Sequence, residues 1–204
     1  MTGNFKTIAV TDEQFKEVVK TIAQGYCEHR PNVAIATALI LERNLGVRIS
    51  DIVCSYDYKT GDKIPGMKLS DIVRDGDRYR LDIREQKTGK ARTFTVPDSV
   101  YMFLENYCLK NSIRPDAPIF TVTTRAVQKA LKAAADFLEL DRVGTHSFRK
   151  AYATEAYRNS GNDIEVVRRL LQHSSASTTQ NYIGIEREVI ESTIKKTVLI
   201  PSVI

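Results

Sequence analysis

The spacing of apolar side chains changes along the chain and predicts helices on either side of a small sheet. Outside the middle of the chain, apolar residues recur every three or four positions, the period of a helix buried on one face. Helices commonly begin where a Ser, Thr, Asp or Asn side chain can accept a backbone N–H of the first turn. Such start signals stand at Thr11, where Gln14 completes a capping box, and at Asp98, Thr124, Thr145 and Asp163.

Other signals predict details of the helical segments. Pro31 suits the first turn of a second helix, which should end near Gly46. Ser50 and Asp51 are expected to cap a short turn. After the helix that begins at Asp163, a Ser- and Thr-rich link at 174–179 should lead into the final segment.

Between residues 75 and 97 the apolar period shortens to two, which is typical of strands. Asp75-Gly76 is a hairpin turn signal, residues 80–84 alternate polar and apolar, and residues 93–96 precede a terminating Pro97. Three short strands cannot enclose a core of their own. We therefore predict one domain, mainly α with a small three-stranded antiparallel β-sheet.

Composition indicates a folded protein of the cytoplasm. The 204 residues are 42% apolar and 27% charged, as in globular proteins. No apolar run reaches the roughly 20 residues of a membrane helix, and the first residues lack a signal-peptide core. The three cysteines, Cys27, Cys54 and Cys108, are too few and too widely spaced for a disulfide framework or a zinc site.

The positive charge is unevenly distributed. The formal net charge is +5, but residues 78–97 alone carry +4 and residues 142–182 carry +3. A polyanion responds to such local concentrations more than to the total charge. Charge alone is equally compatible with a solvated face, so it opens the possibility of a nucleic-acid partner without deciding it.

Four short segments contain residues able to act on a phosphodiester. They are Gly-Val-Arg-Ile-Ser-Asp at 46–51, Gln-Lys-Thr-Gly-Lys at 86–90, His-Ser-Phe-Arg at 146–149, and residues 173–182, which begin with a histidine and end with a tyrosine. Each residue alone has an ordinary explanation, such as a helix-end charge or a turn lysine. The order of the segments on a helix–hairpin–helix plan is far more specific.

In that order the segments resemble the C-terminal catalytic domain of the tyrosine recombinase (phage integrase) family, over about residues 8–185. The resemblance implies the tyrosine-recombinase catalytic-domain fold and a site-specific DNA recombinase or integrase. It implies six catalytic residues: Arg48, Lys87, His146, Arg149, His173 and Tyr182.

The chemistry of these side chains agrees with that implication. Tyr182 offers a phenolic nucleophile, and Arg48 and Arg149 can each hold phosphoryl oxygens with a planar, permanently charged guanidinium. Lys87 can protonate the leaving 5′ oxygen, and His146 can accept or relay the tyrosine proton. His173 can donate a hydrogen bond to the phosphate. Since the arginines supply the positive charge, we expect no metal ion and no cofactor.

Three positions depart from the family pattern or compete with it. Gln172 stands where a glycine usually precedes the second histidine, and Lys150 stands where a histidine often follows the second arginine. Lys90 competes with Lys87 for the hairpin role, and Lys87 is preferred because it precedes Thr-Gly.

The resemblance also implies partners. We expect double-stranded DNA at a specific recombination site, self-assembly on it as a tetramer of protomers, accessory DNA-bending or excision factors, and no membrane. The candidate DNA contacts are Lys90, Arg92, Arg125, Lys129 and Lys150. Two alternatives stay open: a non-catalytic DNA-binding regulator with this fold, and a type IB topoisomerase.

The expected extent of the domain is residues 1–185, with a C-terminal tail at 186–204 that docks on a neighbouring protomer. The N-terminal DNA-binding domain of the family is expected to be absent. The sequence is compatible with a fragment of a longer integrase and with a short stand-alone recombinase.

Overall fold

Eight α-helices, a short 3-10 helix at Leu69–Asp71 and five strands form the regular elements in the part of the chain that the structure, a computed structural model, describes. That part is residues 7–57, 59–85, 89–173 and 175–183, with the backbone alone for 181 and 182. The helices are α1 (Asp12–Gln24), α2 (Val33–Leu45), α3 (Ile49–Ile52), α4 (Asp98–Lys110), α5 (Thr124–Phe137), α6 (Thr145–Asn159), α7 (Ile164–Leu171) and α8 (Ala176–Ile183). The strands are β1 (Ser55–Tyr56), β2 (Lys63–Ile64), β3 (Ile72–Asp75), β4 (Arg78–Arg84) and β5 (Ala91–Val96).

The helices on either side of the sheet begin close to their predicted starts. At α1 the predicted capping box is present: the Thr11 hydroxyl accepts from the Gln14 N–H (3.2 Å), and the Gln14 side chain accepts from the Thr11 N–H (3.0 Å). Helix α2 packs against both α1 and α6 and is buried along most of its length. Because its residues are apolar on nearly every side, such a helix belongs at the centre of a core.

The predicted three-stranded antiparallel sheet is confirmed, in the order β3–β4–β5. Leu81 in β4 pairs with Ile72 on one side and Phe94 on the other, and all three side chains are buried. Tyr79 of β4 stacks on Tyr101 of α4 with ring centroids 3.8 Å apart, which fixes α4 against the sheet. The short antiparallel pair β1–β2 was not predicted, since two residues show no period.

The apolar core is divided into a large cluster and a small one. The large cluster unites α1, α2, the sheet, α4 and α5. The small cluster consists of Ala153, Val167, Leu171 and Ile183, from α6, α7 and α8. Helix α6 contributes to both, since Phe148 lies in the large cluster. Helix α6 is therefore the link between the last two helices and the rest of the domain.

Two of the predicted boundaries differ from the observed ones outside the turn at the end of α2. Pro31 precedes α2 instead of lying in its first turn, because the Asn32 side chain caps the helix by accepting from the Ile35 N–H (3.0 Å). The Ser- and Thr-rich link is mostly helix α8. Its Ser175 hydroxyl accepts from the Thr178 N–H (3.3 Å), so these polar residues begin a helix instead of interrupting one.

The cysteines are free thiols in different environments. Cys54 and Cys108 are buried, and the Cys54 thiol donates to the Phe120 carbonyl (3.2 Å). Cys27 is exposed between α1 and α2.

None of the helices in the described ranges is long and apolar enough to cross a bilayer. The tail predicted at 186–204 lies outside the described residues.

Candidate active site

Arg48 stands at a sharp turn between α2 and α3. Gly46 ends α2 in the left-handed conformation (φ 62°), and a Cβ at this position would lie 2.4 Å from the Tyr152 ring. The turn therefore requires glycine. Arg48 follows in extended backbone and precedes α3, so Ser50 and Asp51, predicted to cap a turn, lie inside that helix. The prediction that Ser50 and Asp51 cap a turn is wrong because Arg48, which has an extended backbone, is the residue that immediately precedes α3.

Arg149 of α6 connects two helix ends. Its side chain is 1% exposed, its Nη1 donates to the Gly46 carbonyl, and its Nη2 donates to the Leu171 carbonyl (3.1 Å). Carbonyls at helix C-termini lack intrahelical partners and carry partial negative charge, so a cation satisfies them well. Arg149 thereby joins the turn before Arg48 to the turn before His173.

Glu42 of α2 is a fully buried carboxyl close to this arginine. Its Oε1 accepts from the Ile49 N–H (3.2 Å). Burial raises the pKa of Glu42 well above its usual value, although the Ile49 N–H and the charge of Arg149 oppose the change. The Glu42 carboxyl therefore holds its proton more tightly than a carboxyl in water does.

His173 lies immediately after α7, in a buried turn. Gln172 ends α7 in the left-handed conformation (φ 52°). The His173 Nδ1 lies 3.1 Å from the Thr179 hydroxyl. The backbone of His173 is fixed as well, because its N–H donates to the Arg168 carbonyl (2.9 Å) and its own carbonyl accepts from the Arg168 side chain (2.9 Å).

The charges around His173 keep its ring neutral. Burial, together with the positive charges of Arg149, Arg48 and Arg92, lowers the pKa of His173 to about 4, although the Glu85 carboxylate opposes the change. An imidazole with this pKa is uncharged at pH 7. Arginines from three separate segments of the chain therefore act on one ring.

His146 occupies the first turn of α6 and its residue is exposed. It precedes Arg149 by three positions, and residues at that spacing lie on the same side of a helix. His146 therefore flanks the buried arginine from the solvent side of the same helix.

Lys87 and the side chain of Tyr182 lie outside the described residues. The backbone of Tyr182 belongs to α8, which packs against α6 and α7. Thr179 and Ile183, the buried residues on either side of it, hold this helix. The backbone of Tyr182 thus lies in a helix that is packed on the helix of Arg149.

Three further residues form part of this site although the sequence did not single them out as catalytic. Glu85, at the end of β4, is 2% exposed and forms ion pairs with Arg48 and with Arg92 (3.0 Å). Gln172, noted as a departure from the family pattern, accepts from Arg92. The departure at Gln172 was the only signal in the sequence for any of these contacts.

The candidate DNA contacts divide into two groups. Lys90, Arg125 and Lys129 are exposed, with the last two in the first turns of α5. The prediction is corrected for Arg92 and Lys150, which are turned into the protein. Arg92 is engaged by Glu85, and the Lys150 ammonium donates to the Thr7 carbonyl. Their positive charges are paired with oxygen atoms of the protein itself, the Glu85 carboxylate for Arg92 and the Thr7 carbonyl for Lys150.

Within the described ranges, no three His, Cys, Asp or Glu side chains come close enough together to hold a metal ion. The local positive charge comes from arginines, which bind oxyanions directly through charge-assisted hydrogen bonds.

Comparison with known proteins assigns the family. A sequence model of the phage integrase family matches residues 10–188. The chain belongs to the phage integrase family. This family member is 31% identical over 142 residues to the probable integrase/recombinase YoeC of Bacillus subtilis, an alignment covering 63% of this chain and 76% of YoeC.

Solved structures of the same fold agree. The integrase-family chain is similar to the XerH site-specific recombinase in a post-cleavage complex with a palindromic difH substrate (TM-score 0.67, 16% identity), covering 96% of this chain and 54% of that one. It is also similar to the catalytic domain of bacteriophage HP1 integrase (TM-score 0.60, 16% identity), covering 94% of this chain and 96% of that domain. The chain thus covers nearly all of the HP1 catalytic domain but about half the length of XerH.

Proposed function

We propose that this chain cleaves and rejoins DNA as the catalytic domain of a site-specific recombinase, with Tyr182 as nucleophile. The observation that carries the proposal is the convergence of three sequence-distant residues on one site. Arg149 bonds the turns that precede Arg48 and His173, and the charges of both arginines act on the His173 ring. The packing of α8 on α6 and α7 supports a tyrosine at the same site.

The proposed reaction exchanges one phosphodiester for another. The Tyr182 oxygen loses its proton, for which His146 is the proposed acceptor or relay, and attacks the scissile phosphorus. The bond from phosphorus to the 5′ oxygen breaks, and Lys87 protonates that oxygen. A 3′-phosphotyrosyl bond and a free 5′ hydroxyl result. Attack by a hydroxyl of a second duplex reverses these steps, so no nucleotide cofactor is required.

Arg48, Arg149 and His173 are proposed to bind the non-bridging oxygens during this exchange. Since His173 is neutral, it can donate only from the nitrogen that carries its proton. Donation to phosphate from Nε2 requires the tautomer in which the Thr179 hydroxyl, 3.1 Å away, donates to Nδ1. Thr179 is therefore the proposed donor to Nδ1 when His173 acts on the phosphate.

The proposed partner is double-stranded DNA at a specific recombination site, on which four protomers assemble with accessory DNA-bending or excision factors. The similarity to XerH, solved with its difH substrate, supports the DNA partner. The exposed Lys90, Arg125 and Lys129 are proposed to contact the phosphate backbone of the DNA. We also propose that residues 1–185 are the catalytic unit, that the segment at 186–204 docks on a neighbouring protomer, and that the protein acts on DNA in the cytoplasm.

A covalent trap tests this function. The purified protein is incubated with a library of nicked duplexes whose central segment varies in sequence from one duplex to the next. Protein–DNA adducts that survive denaturation in detergent are isolated, and their DNA is sequenced. The wild type should form a protein–DNA adduct enriched in one sequence. Tyr182→Phe should abolish it, because phenylalanine has no oxygen to attack phosphorus. Tyr56→Phe makes the same change at an exposed tyrosine and should leave the adduct yield unchanged.

The other outcomes distinguish the alternatives. DNA binding with no adduct from the wild type indicates a non-catalytic regulator. Adduct formation with relaxation of supercoiled plasmid, but no joining to a second duplex, indicates a type IB topoisomerase. An adduct that persists in Tyr182→Phe rules out Tyr182 as the nucleophile.

A further inference from the structure

A buried carboxylate lies between two arginines beside the site. Glu85 follows β4 and is 2% exposed. Its Oε1 pairs with Arg48 Nη1, and its Oε2 pairs with Arg92 Nη2 at 3.0 Å. Buried charges are tolerated when they are paired and hydrogen-bonded. One carboxylate between two guanidiniums leaves the group with a positive charge, which suits a site for an anion.

Arg92 continues the contacts toward His173. The other terminal nitrogen of Arg92 donates to the Gln172 backbone carbonyl and lies 3.3 Å from the Gln172 side-chain oxygen. The Gln172 side-chain nitrogen donates to the Thr93 carbonyl in β5 (2.7 Å). Both ends of the Gln172 amide are therefore held by the strand of Arg92, and His173 is the next residue.

These contacts form one continuous chain, which we name the relay: Arg48, Glu85, Arg92 and Gln172. It begins at one proposed phosphate ligand and ends at the residue before another. Its members come from the α2–α3 turn, the hairpin and the end of α7. Glu85 accepts from Nη1 of Arg48, and a guanidinium carries five N–H donors, so the relay can orient this guanidinium while its planar fork also contacts an oxyanion.

We propose that Glu85, Arg92 and Gln172 are positioning residues, which align Arg48 and His173 with each other for the same phosphate. This proposal rests on the proposed function. In this role Gln172 replaces the glycine usual at its position in the family: the left-handed backbone is kept, and the side chain adds a tether to β5. A displacement at either end of the relay is transmitted to the other end.

Two single variants and their combination test the relay. Glu85→Gln keeps the size of the side chain and removes its charge. Gln172→Gly removes the tether, and glycine adopts the φ of 52° without strain. In single-turnover reactions on the nicked duplex selected above, each variant should slow adduct formation at least 10-fold and change the Kd for that duplex less than 3-fold. The double variant should be about as slow as the slower single, since both break one chain of contacts.

A second readout requires no cleavage. In NMR titrations, Glu85→Gln should lower the pKa of the His173 imidazole further, because a carboxylate that opposes the arginines is lost. Gln172→Gly should shift the His173 ring resonances through the changed position of the turn. A role limited to stability predicts unchanged His173 ring resonances in Gln172→Gly, which removes no charge, and thermal unfolding checks the folding of each variant.

Two control variants make the same kinds of substitution at sites outside the relay. Asp75→Asn removes a partly exposed carboxylate that also lies between two arginines, Arg78 and Arg80, at the edge of the same sheet. Asn162→Gly changes another left-handed residue (φ 69°) on the surface. Both should match the wild type in adduct formation and in the His173 signals.

The outcomes decide between this proposal and the proposed function. If the wild type forms no adduct, the proposed function fails, and the His173 signals alone judge the relay. If Glu85→Gln does not fold, Gln172→Gly alone decides. Rates within 3-fold of the controls, unmoved His173 signals, or losses that multiply in the double variant would each overturn the relay.

Discussion

His173 is surrounded by positive charge and removed from water, and both effects favour its neutral form. Its Nδ1 contact with Thr179 fixes the ring, while the nearby arginines discourage a further proton. A residue of this kind makes the stability of the fold depend on pH, since the unfolded chain accepts a proton that the folded chain refuses.

Stability should therefore fall as the pH is lowered. Above about pH 6.5 the imidazole is neutral in both states, and its contribution is fully present. Between the usual pKa of 6.5 and the folded value of about 4, the unfolded chain binds the proton first, so the free energy of unfolding decreases. The decrease should be on the order of 3 kcal/mol, since the pKa falls from 6.5 to about 4 and each pKa unit corresponds to about 1.4 kcal/mol. Urea denaturation at a series of pH values measures it.

Two histidine variants test whether His173 causes this dependence of the unfolding free energy on pH. His173→Gln should remove most of the difference in unfolding free energy between pH 6.5 and pH 4. His29→Gln changes an exposed histidine and should keep it. If the slope survives in His173→Gln, the proton is bound elsewhere.

At the residue scale, the sequence indicated which side chains are able to act on a phosphate, but it did not predict their partners. Arg48 and Glu85 are separated by 37 positions, and no local period relates them. Arg92 is an example. As an arginine in a basic segment it was predicted to contact DNA, but in the structure it forms an ion pair with Glu85. Ion pairs of this kind depend on the tertiary fold, which composition does not encode.

At the level of elements, the turn at the end of α2 is under the strictest constraint. Gly46 offers its carbonyl to Arg149, adopts a left-handed backbone and faces the Tyr152 ring. Gly161, after α6, has a similar φ of 70°, but a Cβ there would meet nothing within 4 Å. A substitution at Gly161 thus introduces backbone strain alone, whereas the same substitution at Gly46 adds a steric clash.

Gly46→Ala should destabilise the protein by about 2–4 kcal/mol, since strain and a clash with Tyr152 add together. Gly161→Ala should cost only about 1 kcal/mol, because backbone strain is its main penalty. Chemical denaturation of both variants measures the difference. Equal losses would show that the Tyr152 ring moves aside without cost.

Elements with strong local signals were predicted and elements with weak ones were not. The capping box at Thr11 and the alternation in residues 80–84 identified α1 and β4, because the contacts that form them are close in sequence. Helix α8 was missed because Ser and Thr are common both in links and at helix starts. Its formation depends on burying Thr179 and Ile183 against α6 and α7, which requires the assembled fold.

At the scale of the whole molecule, the divided core implies uneven stability. The large cluster spans most of the domain, whereas α7 and α8 are held by a cluster of four buried apolar residues. Segments with few buried apolar contacts open more readily than the global fold. The helix of Tyr182 therefore belongs to the less stable part of the domain.

Hydrogen exchange should reveal this difference. In the DNA-free protein, amides of α7 and α8 should exchange at least 10-fold faster than those of α2. Leu171→Ala, which removes a fully buried side chain of the small cluster, should accelerate exchange in α7 and α8 while leaving the protection of α2 largely unchanged. Uniform protection across the three helices would contradict a divided core.

The contrast among the three thiols has a practical consequence. Cys54 and Cys108 are buried, whereas Cys27 is exposed between α1 and α2. A maleimide dye applied to the native protein should select Cys27, because the other two sulfurs are shielded from the reagent. The unaltered sequence thus offers an attachment point for fluorescence experiments that follow single molecules as they encounter a duplex.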